Sequence, residues 1–209
     1  MSRKRKIEDS IIERGLYWDT AQRPYRNIIT STESKKKYYG VLSDSLAFGV
    51  FIKQAVDVSC PGATLESLAS KNIANDFKEW GVKGIALLGG TNSLVKKDGQ
   101  IEDVETVVKG LEHLIDVYKE AGMDVVVLQV PGRKDKGEIM KEIIPKLRDR
   151  YKEVCEAKGV KFHKLQRFKM GHLDADNLHP RPDKVNELMK DIYNALEKVA
   201  DVSISGPSQ

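Results

Sequence analysis

Four short segments hold residue types that together could cleave an ester. In chain order they are Ser43-Asp44-Ser45-Leu46, Pro61-Gly62-Ala63-Thr64, Gly90-Thr91-Asn92-Ser93 and Asp176-Asn177-Leu178-His179. Ser45 offers a nucleophilic hydroxyl, and Gly62 a backbone N–H with no side chain to hold a substrate away. Asn92 offers a carboxamide with two donors. Asp176 and His179 are three residues apart, so one loop can bring the carboxylate to one ring nitrogen and leave the other free to take a proton. A nucleophile, a base, an orienter for the base and donors for a developing oxyanion are the working parts of a serine hydrolase.

Taken singly, each segment has a plainer reading. Ser45 suits an ordinary helix N-cap. Pro61-Gly62 suits a turn, as does Asn92 after Gly89-Gly90. Asp44 reads as a stabiliser of its turn, and Ser43 as a residue that merely fits it. His172 and Asp174 lie beside the Asp/His pair and compete with it, with a His172–Asp176 metal site as a minor alternative. His113 falls in a helical stretch and His163 on a predicted strand, where both read as structural.

The elements that must position these residues favour the joint reading. Short apolar runs at 38–42, 55–59, 84–88, 124–130 and 160–165 read as strands. The clearest holds Val125-Val126-Val127-Leu128, continuous and mostly β-branched, as expected of a strand covered on both faces. Between them, 64–80, 104–121, 138–158 and 184–199 read as amphipathic helices. In the second, Val104, Val107, Val108, Leu111, Leu114, Ile115 and Tyr118 recur at helical spacing before Gly122. Strands alternating with helices predict an α/β protein with a parallel sheet and helices on both faces. In such a sheet, sites form beyond the carboxyl ends of the strands. Ser45 follows the first strand, Gly62 the second, Asn92 the third, and Asp176 and His179 the fifth.

Bulk properties bound the rest. The 209 residues suit one domain with an extension, 40% of them hydrophobic and 32% charged. No apolar run is long enough for a membrane helix, and Met1 to Lys6 has no apolar stretch behind it to make a secretory signal. Cys60 and Cys155 form no metal spacing and read as reduced thiols of a cytoplasmic or nuclear protein. Residues 1–37 hold ten Lys/Arg against five Asp/Glu, and the remainder 25 against 26, so the excess positive charge lies in a basic N-terminal extension. Such an arm could contact nucleic acid through phosphates. It is expected to drape on the domain or stay mobile, and 200–209 to form a flexible tail.

The four segments resemble the blocks of the SGNH hydrolases, also called GDSL esterases and lipases, over about residues 38–199. The resemblance implies a flavodoxin-like three-layer α/β/α sandwich with a five-stranded parallel sheet. It implies a triad of Ser45, His179 and Asp176 and an oxyanion hole of Ser45, Gly62 and Asn92. It implies no metal or organic cofactor. Two positions depart from the family pattern: Ser43 stands where the first block usually has Gly, and Ser93 where the third usually has Asp. The family includes platelet-activating factor acetylhydrolase-like proteins and an esterase-domain branch in LINE retrotransposon proteins, the latter closer in its basic arm. The expected function is hydrolysis of carboxyl esters with short acyl groups such as acetyl, on a small-molecule or lipid ester. The alternative is a catalytically silent domain of the same fold that binds a protein, RNA or an acylated ligand.

Overall fold

In the computed structural model, residues 11–17, 24–31, 39–47, 52, 55–176 and 178–204 are described. Five parallel strands form the centre: β3 (Tyr39–Ser43), β4 (Ala55–Ser59), β5 (Gly84–Leu88), β6 (Asp124–Leu128) and β7 (Lys161–His163). The expected five-stranded parallel sheet is thus present, and two further strands extend it. β1 (Ile11–Tyr17) and β2 (Pro24–Ser31) pair antiparallel, and β2 pairs antiparallel with β4. Among the described residues the strand order is β1-β2-β4-β3-β5-β6-β7. The described part of the basic extension is therefore sheet rather than a draped or mobile arm. Its Ile11-Ile12 and Ile28-Ile29-Thr30 runs are good strand formers, and β2 covers the edge that β4 would otherwise leave unpaired.

Among the described residues, five α-helices flank the sheet: α1 (Leu65–Leu68), α2 (Lys71–Glu79), α3 (Val104–Glu120), α4 (Ile139–Ala157) and α5 (Val185–Ile204). Alternation along each strand splits the core in two. Ile85, Leu87, Val125 and Val127 face α1 to α4, whereas Ala86, Leu88, Val126 and Leu128 face α5. The result is a three-layer α/β/α sandwich. α3 begins where the Asp103 carboxylate accepts the Thr106 N–H at 3.1 Å, and it buries Val107, Val108, Leu111, Leu114, Ile115 and Tyr118 as its spacing predicts. α5 continues past the expected end at 199 to Ile204.

The stretch expected as one helix over 64–80 is two. Its break falls at Ala69-Ser70. The buried Tyr118 hydroxyl donates to the Leu68 carbonyl at 2.9 Å, taking up an acceptor that a continuous helix would use itself.

Candidate active site

β3 lies between β4 and β5, both parallel to it. The chain leaves β3 toward one neighbour and later returns to the other. This reversal opens a crevice at the carboxyl end of β3, the switch point where open α/β sheets bind ligands. Ser45 stands there, at the start of a 3₁₀ turn, Ser45–Ala47.

The turn is held by its neighbour. The Asp44 carboxylate Oδ1 accepts the Leu46 N–H at 2.9 Å, the stabilising role expected for it. Asp44 is fully buried, and burial pushes its carboxyl up to about 6, against the pull of the Leu46 N–H and the charges of His179 and Arg133. The folded state therefore holds this proton more tightly than the unfolded chain. That contribution is complete below about pH 4 and lost as pH rises through about 6. Asp44→Asn keeps an oxygen for Leu46 and removes the buried charge. A rise from 3.8 to about 6, at about 1.4 kcal/mol for each tenfold change in proton affinity, bounds the gain at about 3 kcal/mol. The variant should melt above the parent protein at pH 8, with the gap closing toward pH 4. Identical melting temperatures at pH 8 would contradict the assignment.

Ser43, also fully buried, shares a hydrogen bond with Ser59 Oγ at 3.2 Å across the β3–β4 pair, and Ser59 donates to Asp57 at 3.1 Å. The hydroxyl at this departure from the family pattern is thus absorbed in a buried polar chain.

Two further loops leave the same edge of the sheet, beyond β4 and β5. After β4, Gly62 turns with φ +78°, a left-handed conformation that suits glycine. After β5, Gly90 takes φ +113°, and a Cβ there would sit 2.1 Å from the Tyr151 hydroxyl. Asn92 follows, and its Nδ2 donates to the Ala63 carbonyl at 3.1 Å, tying the two loops together. One of the two amide hydrogens is used in this way, and the second is the candidate oxyanion donor. Ser93 Oγ accepts the Leu65 N–H at 2.9 Å, so the serine satisfies a donor at the first turn of α1.

The last segment closes the site from the other side. Asp174 N–H donates to the His179 carbonyl at 2.7 Å, Arg181 N–H to the His172 carbonyl at 2.9 Å, and Leu173 bridges Pro180. Within this paired loop Asp176 makes three contacts, two of them to His179. Oδ1 accepts the Leu178 and His179 N–H groups, each at 2.9 Å, and Oδ2 meets ring Nδ1 at 2.5 Å. Burial alone would raise the Asp176 carboxyl, but the His179 N–H, the ring and the Leu178 N–H together bring it down to about 2. The other ring nitrogen, Nε2, lies 2.7 Å from Ser45 Oγ. Ser45, His179 and Asp176 thus form a continuous hydroxyl–imidazole–carboxylate chain.

The competing residues have other partners. His172 Nδ1 accepts the Lys169 N–H at 3.2 Å and its ring meets Phe168 edge to face, and Asp174 Oδ1 accepts the Ala175 N–H. No group of three or more His, Cys, Asp or Glu among the described residues is placed to hold a metal. Cys60 and Cys155 are both buried, and no disulfide joins them. No helix of the described residues is long and apolar enough to cross a membrane.

Two buried charges brace the site without any signal in the sequence. Asp191 on α5 is fully buried and accepts the N–H groups of Gln166, Arg167 and Phe168 at 2.9 to 3.3 Å, which anchors the chain just before the His179 loop. Arg133, in the loop after β6, reaches the loop that carries Asn92. His163 is buried beside Asp191 at 3.9 Å, too long for a hydrogen bond, and burial lowers its affinity for a proton.

No family model and no curated protein matches the chain. Among solved structures it is similar to a GDSL-like lipase from Bacteroides thetaiotaomicron, at 14% identity over 78% of this chain and 89% of that one, with a TM-score of 0.63. It is similar to a lipase/acylhydrolase from Enterococcus faecalis, at 17% identity over 77% and 95%, TM-score 0.59. It is also similar to the psychrotrophic esterase EstA from Pseudoalteromonas sp., at 12% identity over 79% and 100%, TM-score 0.60. At these identities the likeness is one of architecture: the chain has the three-layer α/β fold of these GDSL-type lipases, acylhydrolases and esterases.

Proposed function

We propose that the protein is a serine esterase of the SGNH type that hydrolyses carboxyl esters of short acyl groups, acetyl among them. The observation that carries this reading is the 2.7 Å contact between Ser45 Oγ and His179 Nε2, with Asp176 on the far side of the ring. His179 takes the Ser45 proton as the oxygen attacks the ester carbonyl. The Ser45 and Gly62 N–H groups and the Asn92 amide hold the resulting oxyanion. As the C–O bond to the alcohol breaks, His179 returns the proton to the leaving oxygen. Water then attacks the acyl-enzyme by the same route and releases the acid. Ser45, Asn92 and His179 are each only partly buried, so an ester can reach them from solvent.

The esterase EstA is described in a form inhibited by monoethylphosphonate, so a phosphonate reagent is the matching probe. A fluorophosphonate should label this protein once per chain, on the peptide that contains Ser45. Folded protein that stays unlabelled would overturn the esterase reading in favour of a domain that only binds ligand.

A further inference from the structure

We infer that Arg133 is a positioning residue that aims the Asn92 amide at the oxyanion, acting through the Thr91 carbonyl. The inference rests on the esterase reading and adds to it a residue that no block of the family pattern contains.

Arg133 is 6% exposed, although it lies in the loop Pro131-Gly132-Arg133-Lys134-Asp135-Lys136-Gly137, whose composition suggests a solvated connection. Its guanidinium makes two kinds of contact. Nε and Nη2 grip the two oxygens of Asp135 at 2.7 and 2.5 Å, and Nη1 donates to the Thr91 carbonyl at 2.6 Å. The fork fixes the plane of the guanidinium, and the plane fixes the direction of the third bond. This pair holds the Asp135 carboxyl below the usual carboxylate range.

Thr91 immediately precedes Asn92, so its carbonyl belongs to the peptide unit that carries the Asn92 N–H. Rotation of that unit swings the Asn92 Cα and its amide. Arg133 opposes it on the main chain and the Ala63 carbonyl on the Asn92 side chain, while the Thr91 hydroxyl reaches Asp44 Oδ2 only at 3.5 Å. The local turn is loosely held by comparison, since Val95 N–H reaches the Asn92 carbonyl at 3.3 Å. Burying a guanidinium is costly, and apolar side chains could fill the same space. A charged donor aimed at one carbonyl beside an oxyanion donor is explained by the need to fix that donor's orientation.

Arg133→Met retains most of the stem and removes every donor. Loss of a whole oxyanion donor costs about 10²–10³ in turnover, and a displaced one should cost part of that, so kcat for p-nitrophenyl acetate should fall about 10- to 100-fold with KM changed less than about threefold. In an Asn92→Ala background the same substitution should cost less than about threefold, because the group it aims is gone. Arg133→Lys can reach the Thr91 carbonyl with one ammonium but cannot also form the fork, and should recover part of the loss. An equal loss in both backgrounds, or none in either, overturns the inference. If Arg133→Met fails to fold by circular dichroism, Asp135→Asn loosens the same fork from the surface. It should show a smaller kcat loss that also vanishes in Asn92→Ala, and a loss that persists there overturns the inference. The rate of fluorophosphonate labelling at Ser45 gives the same comparison without turnover. An unlabelled Ser45 overturns the esterase reading itself, whereas normal labelling with no coupling between Arg133 and Asn92 overturns only the inference.

Discussion

Ser45→Ala is expected to lower kcat for p-nitrophenyl acetate by about 10⁴-fold or more, with the folded structure unchanged. The reaction has no second route: without the hydroxyl no acyl-enzyme forms, and only the oxyanion donors and substrate positioning continue to act. Removal of this oxygen should cost little stability. Ser45 Oγ contacts a half-exposed ring, while the 3₁₀ turn is held by Asp44 Oδ1 on the Leu46 N–H. A single part-buried hydrogen bond is worth about 1 kcal/mol. The variant should therefore melt close to the parent protein and refuse the fluorophosphonate label. Hydrolysis within tenfold of the parent rate, in protein that melts normally, would move the nucleophile elsewhere.

The frame that brings these groups together was legible because β3, β4, β5 and β6 are buried on both faces. A strand such as Val125-Val126-Val127-Leu128, with Val126 and Leu128 in one core and Val125 and Val127 in the other, has no polar face to blur its limits. Strand ends then locate the loops, and the loops locate Ser45, Gly62, Asn92 and the Asp176/His179 pair. The contact itself is another matter: Ser45 and His179 are 134 positions apart, and only the strand order brings them to one edge.

What stayed hidden depends on partners distant in the sequence. The break between α1 and α2 is set by a Tyr118 hydroxyl 50 positions away, with no Gly or Pro to announce it. Arg133 sits among Lys134, Asp135 and Lys136, a pattern that reads as a solvated loop, yet it turns inward to Thr91, 42 positions back. Asp191 looks like one polar position of an amphipathic helix, but it faces inward and gathers three backbone N–H groups. Local pattern reports how much of an element is buried; it does not report which buried charge finds a partner. The N-terminal strands show the same limit. The pairing of β2 with β4 depends on an element that lies after it in the chain.

Asp176→Asn should cost nearly as much as loss of the nucleophile, about 10⁴-fold in kcat, and for a reason that geometry isolates. An asparagine can keep its oxygen on the Leu178 and His179 N–H groups, so the loop backbone has no reason to move. Its NH₂ then occupies the place of Oδ2 and presents a donor to ring Nδ1, where the carboxylate presented an acceptor. Nδ1 must accept, the ring proton shifts to Nε2, and Nε2 donates to Ser45 Oγ instead of receiving its proton. Asp176→Ala removes that enforced donor and leaves room for water, so it should be no worse than Asp176→Asn despite being the larger deletion. Acid stability separates this effect from a folding defect. The Asp176 carboxyl is lowered to about 2 in the fold, so what it contributes is present above about pH 4 and lost as pH falls toward 2. The parent and Asp176→Asn proteins should therefore converge in melting temperature near pH 2. Their rates should remain far apart across pH 5 to 9, where the parent carboxylate stays ionised. A pH–rate series that places Asp176→Asn within tenfold of the parent anywhere in that range would remove Asp176 from the triad.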